Sequence, residues 1–547
     1  MQSICHDTSG RFWTNGFFIL VKNESQTPQT HPAGFFPDSL TSDQVIVRLA
    51  KCIDNLNNAE RMVESIMPPD LFEKMHTRLE GTVQDVVLPW DSFHWLLSMN
   101  KYKFVRHFGA REDMTSWWAA FRASEEGLKM WNLHPWLRFK EPRDLSRHVP
   151  LMMFDDAGVT GKSSSAYCRV YYSLTGKGSD LETRIVIAPS NKVENADDQS
   201  WDVIMDSFEA LAKPVPWDSW GGVLLFQGSD LEYFCNNLGA THYNSKSVCA
   251  YCLANDSGLP HTDCTQAAGW RDTVVDPEEF KNRFRRPLHP LVAHEWWSLY
   301  TYRCDVMHMC DHHGVSNHVA GNTFETHLSN KNGPLPGPNK ETRIEFLNAD
   351  MKAWQSMYGV RNRLPALKQD NICKGLEHYP DLRGPVVKAA NTRSCIGYCR
   401  ELQKRALELD SSDLNKHMFK VVDSLFSIYE LCYGAGTFLE ESQKTDLEKH
   451  CHKLGVHYQW LAVHAMNSGQ KRWQQVPKLH YLVAHIPWQA KLINPIFVQG
   501  YCNESMVGTL SKIFASSYNG PHHAVSGVTV LKKYLIAMYI DWWQAHV

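Results

Sequence analysis

Carboxylates are the first residues in this sequence with chemistry to offer. Asp155-Asp156 closes a short apolar run, Val149 to Phe154, and Asp230 follows another, Gly222 to Phe226. Glu504 stands in Asn503-Glu-Ser-Met-Val-Gly508, with Val507 and Leu510 continuing an inner helical stripe from it. Three such groups brought to one point from separate elements would hold Mg²⁺ or Mn²⁺. Two hard ions about 4 Å apart stabilise charge on the attacking and leaving oxygens of a phosphodiester. Each residue also has a plainer use. An Asp pair at a strand end makes a turn, and Asp230 before Leu231 caps a helix. Glu504 in a first helical turn is favoured by the helix dipole. The strand end does not fix whether Asp155 or Asp156 points at a site, and the residues alone do not choose Glu504 over Glu440 or Glu441.

Thiols and imidazoles form a second constellation. Cys249-Ala-Tyr-Cys252 has the spacing of half a zinc site, since a tight turn lets both thiolates meet one tetrahedral Zn²⁺. The flanking Ser247 and Asn255 do not suggest the strand-helix setting of a redox pair. The missing ligands are sought among Cys304, His308, Cys310, His312 and His313, with His308 first and Cys304 next. Asp305 and His308 have the alternative of touching each other or the carboxylate site. Lys478 and His480, in Pro477-Lys-Leu-His480, and His485 are placed to contact phosphate, but packing near a helix start is the preferred reading. The paired tryptophans (Trp117-Trp118, Trp296-Trp297, Trp542-Trp543) read as core.

The elements that must position these groups change character along the chain. Residues 1–40, rich in Gly, Pro, Ser and Thr, are expected to be poorly ordered, and 41–147 to be helical. The helical stretches are 42–80, on the spacing of Val45, Ile46, Leu49, Ile53 and Leu56, and 91–129. Three strands follow, at Val149–Phe154, Ala166–Ser173 and Thr183–Ala188. A helix over Ser200–Ala212 carries Trp201, Ile204, Met205, Phe208 and Leu211 on one stripe and stops at Pro214. A buried-type strand, Gly222–Phe226, leads into a helix from Leu231. Strand, strand, strand, helix, strand, helix is the opening order of an RNase H-like fold, three antiparallel strands and a crossover to a parallel fourth. Residues 240–315 form a loop-rich Cys/His insert with a fifth strand at Ser298–Cys304. Residues 316–490 form a helical insertion, and 491–547 supply closing helices. The fold class is therefore mixed α/β.

Composition sets outer limits. The 547 residues exceed one simple core, and 43% hydrophobic content with 12% aromatics is globular rather than disordered. The apolar run from Val530 to Ile540 is broken by Lys532 and Lys533, so no membrane span is expected. No secretory signal is read at Met1–Asp7. Fifteen scattered cysteines fit a reducing compartment, cytosol or nucleus. A formal charge of −3 argues mildly against a nucleic-acid partner, although a local groove can be basic on a near-neutral protein.

Four stretches resemble eukaryotic DDE-type cut-and-paste transposases, nearest to the CACTA-type group. Phe154-Asp-Asp-Ala-Gly-Val159 resembles their first-Asp motif, and Gln227-Gly-Ser-Asp-Leu-Glu-Tyr233 the segment with the second. Cys249-x-x-Cys252 with Cys304-Asp-Val-Met-His308 and Gly314-Val315 resembles their Cys/His insert and its D-x-x-H signature. Asn503-Glu-Ser-Met-Val-Gly508 resembles the stretch holding the final Glu. The resemblance covers roughly 148–547. It implies catalytic metal at Asp156, Asp230 and Glu504, with Asp155 competing for the first place, and transposon-end and target DNA as partners. It also implies a nuclear location and allows a homo-oligomer. Asn503 and Ser505 stand where relatives often have acidic residues, and the final helices are thinly basic. A catalytically inactive or domesticated DNA- or protein-binding derivative is accordingly the alternative.

Overall fold

The structure, a computed structural model, describes residues 11–14, 17–20, 77–78, 85–159, 165–175, 183–191, 200–216, 219–242, 244–256, 258–517, 530–531, 533–535 and 538. Most of the helix expected over 42–80 lies outside these residues, and its described part, Thr77–Arg78, is instead a short strand paired antiparallel with Asp85–Val86. Most of 1–40 also lies outside them, and there Arg11–Thr14 and Phe17–Leu20 pair as an antiparallel hairpin. The chain divides into two compact units. The first comprises Met1–Trp118, Phe139–Phe226 and Cys502–Val547, and the second Ala119–Arg138 and Gln227–Tyr501.

The aromatic-rich stretch is helical, as its spacing predicts: α1 Pro89–Met99, α2 Lys101–Phe108 and α3 Arg111–Ala123, followed by α4 Glu125–Leu133. Pro89 opens α1, where its missing N–H costs nothing. Asn100 separates α1 from α2 because its side chain accepts from Lys103 N at 2.8 Å, an N-cap bond. Strands β1 His148–Val159, β2 Ser165–Ser173, β3 Ile185–Asn191 and β4 Gly221–Ser229 follow, with β5 Tyr302–Cys304 far along the chain. They form one five-stranded mixed sheet in the order β3-β2-β1-β4-β5. The first three are antiparallel, with Leu151 opposite Ser173, Asp155 opposite Arg169 and Asp156 opposite Cys168. Apolar runs with no polar alternation, such as Val149–Phe154 and Val223–Phe226, mark strands buried on both faces, and nearly all these side chains are wholly buried.

Helix α5, Trp201–Ala212, buries the stripe of Trp201, Ile204, Met205, Phe208 and Leu211. It packs by α1, where Trp90 N donates to Ser207 Oγ at 2.9 Å. The late helix α12, Tyr501–Ser517, buries Met506, Val507, Leu510 and Ile513. Arg184 Nε, just before β3, donates to Asn503 Oδ1 at 3.2 Å and fixes the first turn of α12 against the sheet. Asn503 lies within the first turn of α12.

The second unit begins at the end of β4, whose Gln227, Gly228 and Ser229 pair in parallel with Tyr302, Arg303 and Cys304 of β5. Helix α6 is Leu231–Asn236. The helical insertion expected over 316–490 contains α7 Val315–Ser329, α8 Lys340–Met357, α9 Ala389–Leu409, α10 Asp413–Gly434 and α11 Glu441–Asn467. Helix α7 is buried almost all round, so its polar side chains need internal partners. Asn317 Nδ2 donates to Leu382 O at 2.8 Å, Thr323 Oγ1 to Val319 O at 2.8 Å, and His327 shares a 2.8 Å bond with Gln403. Among the described residues no helix is long and apolar enough to cross a membrane.

Candidate metal centres

Two loops separated widely in sequence build a Cys2His2 cluster in the second unit. Cys249 and Cys252 lie on a turn held by the guanidinium of Arg283, which donates to the carbonyls of both cysteines at 2.9 and 3.0 Å. His480 ends the short helix Pro477–His480, and His485 ends the π-turn Tyr481–His485 that continues it. In an α-helix residues five apart point roughly 140° away from each other. The wider π-turn, closed by Ile486 N donating to Tyr481 O, brings the two imidazoles to one side. Cys249 Sγ is 3.0 Å from His485 Nε2, and Cys252 Sγ is 3.3 Å from His480 Nε2. All four ligand atoms lie within 4.8 Å of one another, and all four residues are buried. Tetrahedral zinc ligands stand about 3.3–3.8 Å apart, so the spacing and the sulfur-nitrogen donor set suit a structural metal.

The protonation of the cluster fits that use. Burial alone would raise the Cys249 thiol, but hydrogen bonding from Cys252 and the imidazoles of His485 and His480 override it and hold it well below the usual thiol range. Cys252 is pushed up by its hydrogen bond to Cys249 and by burial. Burial pushes His480 down and keeps its ring neutral, the form that donates a lone pair to a metal. Both shifts, Cys249 downward and His480 downward, favour the forms that bind a metal.

Cys304 and His308, the expected remaining ligands, are not brought to this cluster. Pairing of β5 with β4 buries Cys304 in the sheet, where its sulfur meets Gln489 Nε2 at 3.5 Å and burial pushes its thiol up to about 12. His308 Nδ1 lies 2.6 Å from Asp305 Oδ2, the mutual contact that the sequence offers as an alternative. Asp305 is a structural hub: its other oxygen accepts from Met307 N at 2.9 Å and Gly500 N at 2.8 Å. Cys310 is buried, and His312 and His313 are exposed. His480 and His485 replace them, and neither shares a short motif with Cys249.

The carboxylates sort themselves by strand register. Adjacent residues of β1 point to opposite faces. Asp155 meets Arg169 at 2.7 Å, and the guanidinium lies 3.6 Å from the ring centre of Trp201, so Asp155 belongs to a buried ion pair. Asp156 points the other way, and its carboxylate oxygen lies within 4.8 Å of one from Glu504. Both carboxylates also bear on Cys168, whose thiol is pushed up by burial, Asp156 and Asp155 first and by Glu504 as well. Glu440 and Glu441 take no part: Glu440 starts α11, where its N–H donates to Gln443 Oε1 at 3.0 Å, and Glu441 pairs with Lys444 at 2.6 Å.

Asp230 has the plainer role the sequence offered. It is the N-cap of α6, with Oδ1 accepting from Tyr233 N at 2.6 Å. Burial raises its carboxyl, and His308, the Tyr233 bond and Lys478 offset this only in part. Comparison with protein-family models and with curated proteins gives no match to the sequence.

Proposed function

We propose that this chain is a DDE-type transposase-like protein acting on DNA phosphodiesters, with an RNase H-like core around the five-stranded sheet. The observation that carries the reading is the approach of Asp156 and Glu504, which come from a strand and a helix hundreds of residues apart in sequence. Two carboxylates so close repel one another unless a proton or a cation lies between them. Their oxygen donors suit Mg²⁺ or Mn²⁺ rather than a thiophilic metal. A divalent ion bound there supplies positive charge to a reacting phosphodiester. Asp156 and Glu504 bind it, Arg184 steadies Asn503 beside Glu504, and Asp230 is the third carboxylate that the transposase resemblance assigns. The order of strands and helices through 148–238 supports the same reading. Zn²⁺ in the Cys2His2 cluster has a structural part, fixing loop-rich residues with little apolar material of their own. A nuclear site of action follows from DNA as substrate.

Nicking of supercoiled DNA by the full chain, with Mg²⁺ or Mn²⁺, tests this. Activity is expected for the wild type and lost in Asp156→Asn, Glu504→Gln and Asp230→Ala. Cleavage undiminished in Glu504→Gln would falsify the assignment. DNA binding without metal-dependent cleavage would instead favour the non-catalytic derivative, a reading supported by the commitment of Asp230 Oδ1 to its helix cap.

A further inference from the structure

Lys478 lies two residues before His480 in the short helix that the Cys2His2 cluster anchors. Its ammonium donates to His312 O at 3.0 Å and His313 O at 3.1 Å. His313 adopts φ 50°, a left-handed turn that non-glycine residues rarely take. The charged groups that bear on it are led by Asp230 and Asp305. It forms a salt bridge with neither among the described residues, and its third N–H has no hydrogen-bond partner there. The side chain is only partly exposed. A cation held by two carbonyls, close to carboxylates yet unpaired with them, is placed to receive an anionic oxygen from outside.

We propose that Lys478 is a phosphate-binding residue for a nucleic-acid backbone, positioned by the Cys2His2 cluster on the carbonyls of His312 and His313. The inference rests on the transposase-like reading, because it takes DNA as the anion. A lysine suits the role as a point charge on a single non-bridging oxygen, and its two carbonyl bonds fix its direction before the ligand arrives.

The test uses the full zinc-loaded chain, with Ca²⁺ in place of Mg²⁺, and a fluorescein-labelled DNA duplex followed by anisotropy over a salt series. Lys478→Met is expected to weaken binding about tenfold near 0.1 M salt. It should also lower the slope of log K against log salt by about 0.9, the value for one lost phosphate contact. Lys478→Arg should restore the slope, and zinc content should match wild type in both. If Lys478→Met loses zinc, Lys478→Gln, which keeps donors for the two carbonyls without the charge, replaces it with the same expectation. An unchanged slope in a zinc-replete neutral variant overturns the proposal and leaves the transposase-like reading standing. A wild type that binds no duplex at any salt overturns both. Lys478-dependent binding of inorganic phosphate, without duplex binding, would assign the residue to a free phosphoryl anion and overturn the DNA-specific proposal.

Discussion

Arg169 Nε donates to Asp155 Oδ1 at 2.7 Å inside a pair that solvent scarcely reaches, while the next residue, Asp156, faces Glu504. Two consecutive aspartates therefore have opposite uses. Asp155→Asn removes the carboxylate that the buried guanidinium meets at 2.7 Å and is expected to cost about 3–5 kcal/mol. Asp156→Asn also eases the repulsion from Glu504 and is expected to cost less than Asp155→Asn. Urea unfolding in the absence of divalent ions distinguishes them, and equal losses would show that both carboxylates are structural.

The Cys2His2 cluster makes a stoichiometric prediction. The purified chain should carry one zinc, measured by metal analysis, and Cys249→Ser, Cys252→Ser, His480→Ala and His485→Ala should each reduce that content sharply. Cys304→Ser and His308→Ala should retain it. Removal of the ion by a strong chelator should lower thermal stability, reversibly on zinc addition. Zinc loss in Cys304→Ser with zinc kept in His485→Ala would restore the assignment read from the sequence and remove the one made here.

Asp311 gives a pH dependence. Burial pushes its carboxyl up to about 6, against hydrogen bonds from Tyr429 of α10 and Tyr501 of α12, the charge of Arg393 on α9 and the hydroxyl of Ser316 on α7. Because the folded value is raised, its stabilising contribution is full below about pH 4 and is lost as pH rises through about 6. Asp311→Asn should flatten that part of the stability profile by about 3 kcal/mol between pH 4 and 7. Matching wild-type and variant profiles from urea titrations at a series of pH values would refute it.

Gly455 of α11 is where the helix lets the π-turn approach. An added Cβ would lie 2.9 Å from Cys264 Cβ and 3.0 Å from both methyls of Val483, between His480 and His485. Gly455→Val should therefore destabilise the chain by about 1–3 kcal/mol and weaken zinc retention against a competing chelator. Retention equal to wild type would mean that the turn shifts without disturbing its imidazoles.

Local patterns made much of this legible. The buried runs at 149–154 and 223–226 and the stripe from Trp201 to Leu211 announced their elements, and Asp230 before Leu231 announced a cap. Register was not legible: only pairing of Asp155 with Arg169 decides which aspartate is occupied. Resemblance singled out Glu504, since nothing within helix 501–517 distinguishes it from Glu441. The two histidines of the cluster give no such signal, for a geometric reason. A five-residue separation does not share a face in an ordinary helix, and no short-range signal in the sequence reveals a π-turn. The cluster of histidines at 308–313 lay nearer in sequence and drew the assignment away.

The Cys2His2 cluster joins positions 228 residues apart, from Cys252 to His480. An ion bound there is a reversible cross-link around the whole intervening stretch. By the chain-entropy treatment of a cross-link, closing a loop of that length restricts the unfolded chain by about 5 kcal/mol. After a protease cut between α8 and α9 the ion would join the two fragments in addition to packing such as the His327–Gln403 bond, so a chelator should weaken their association.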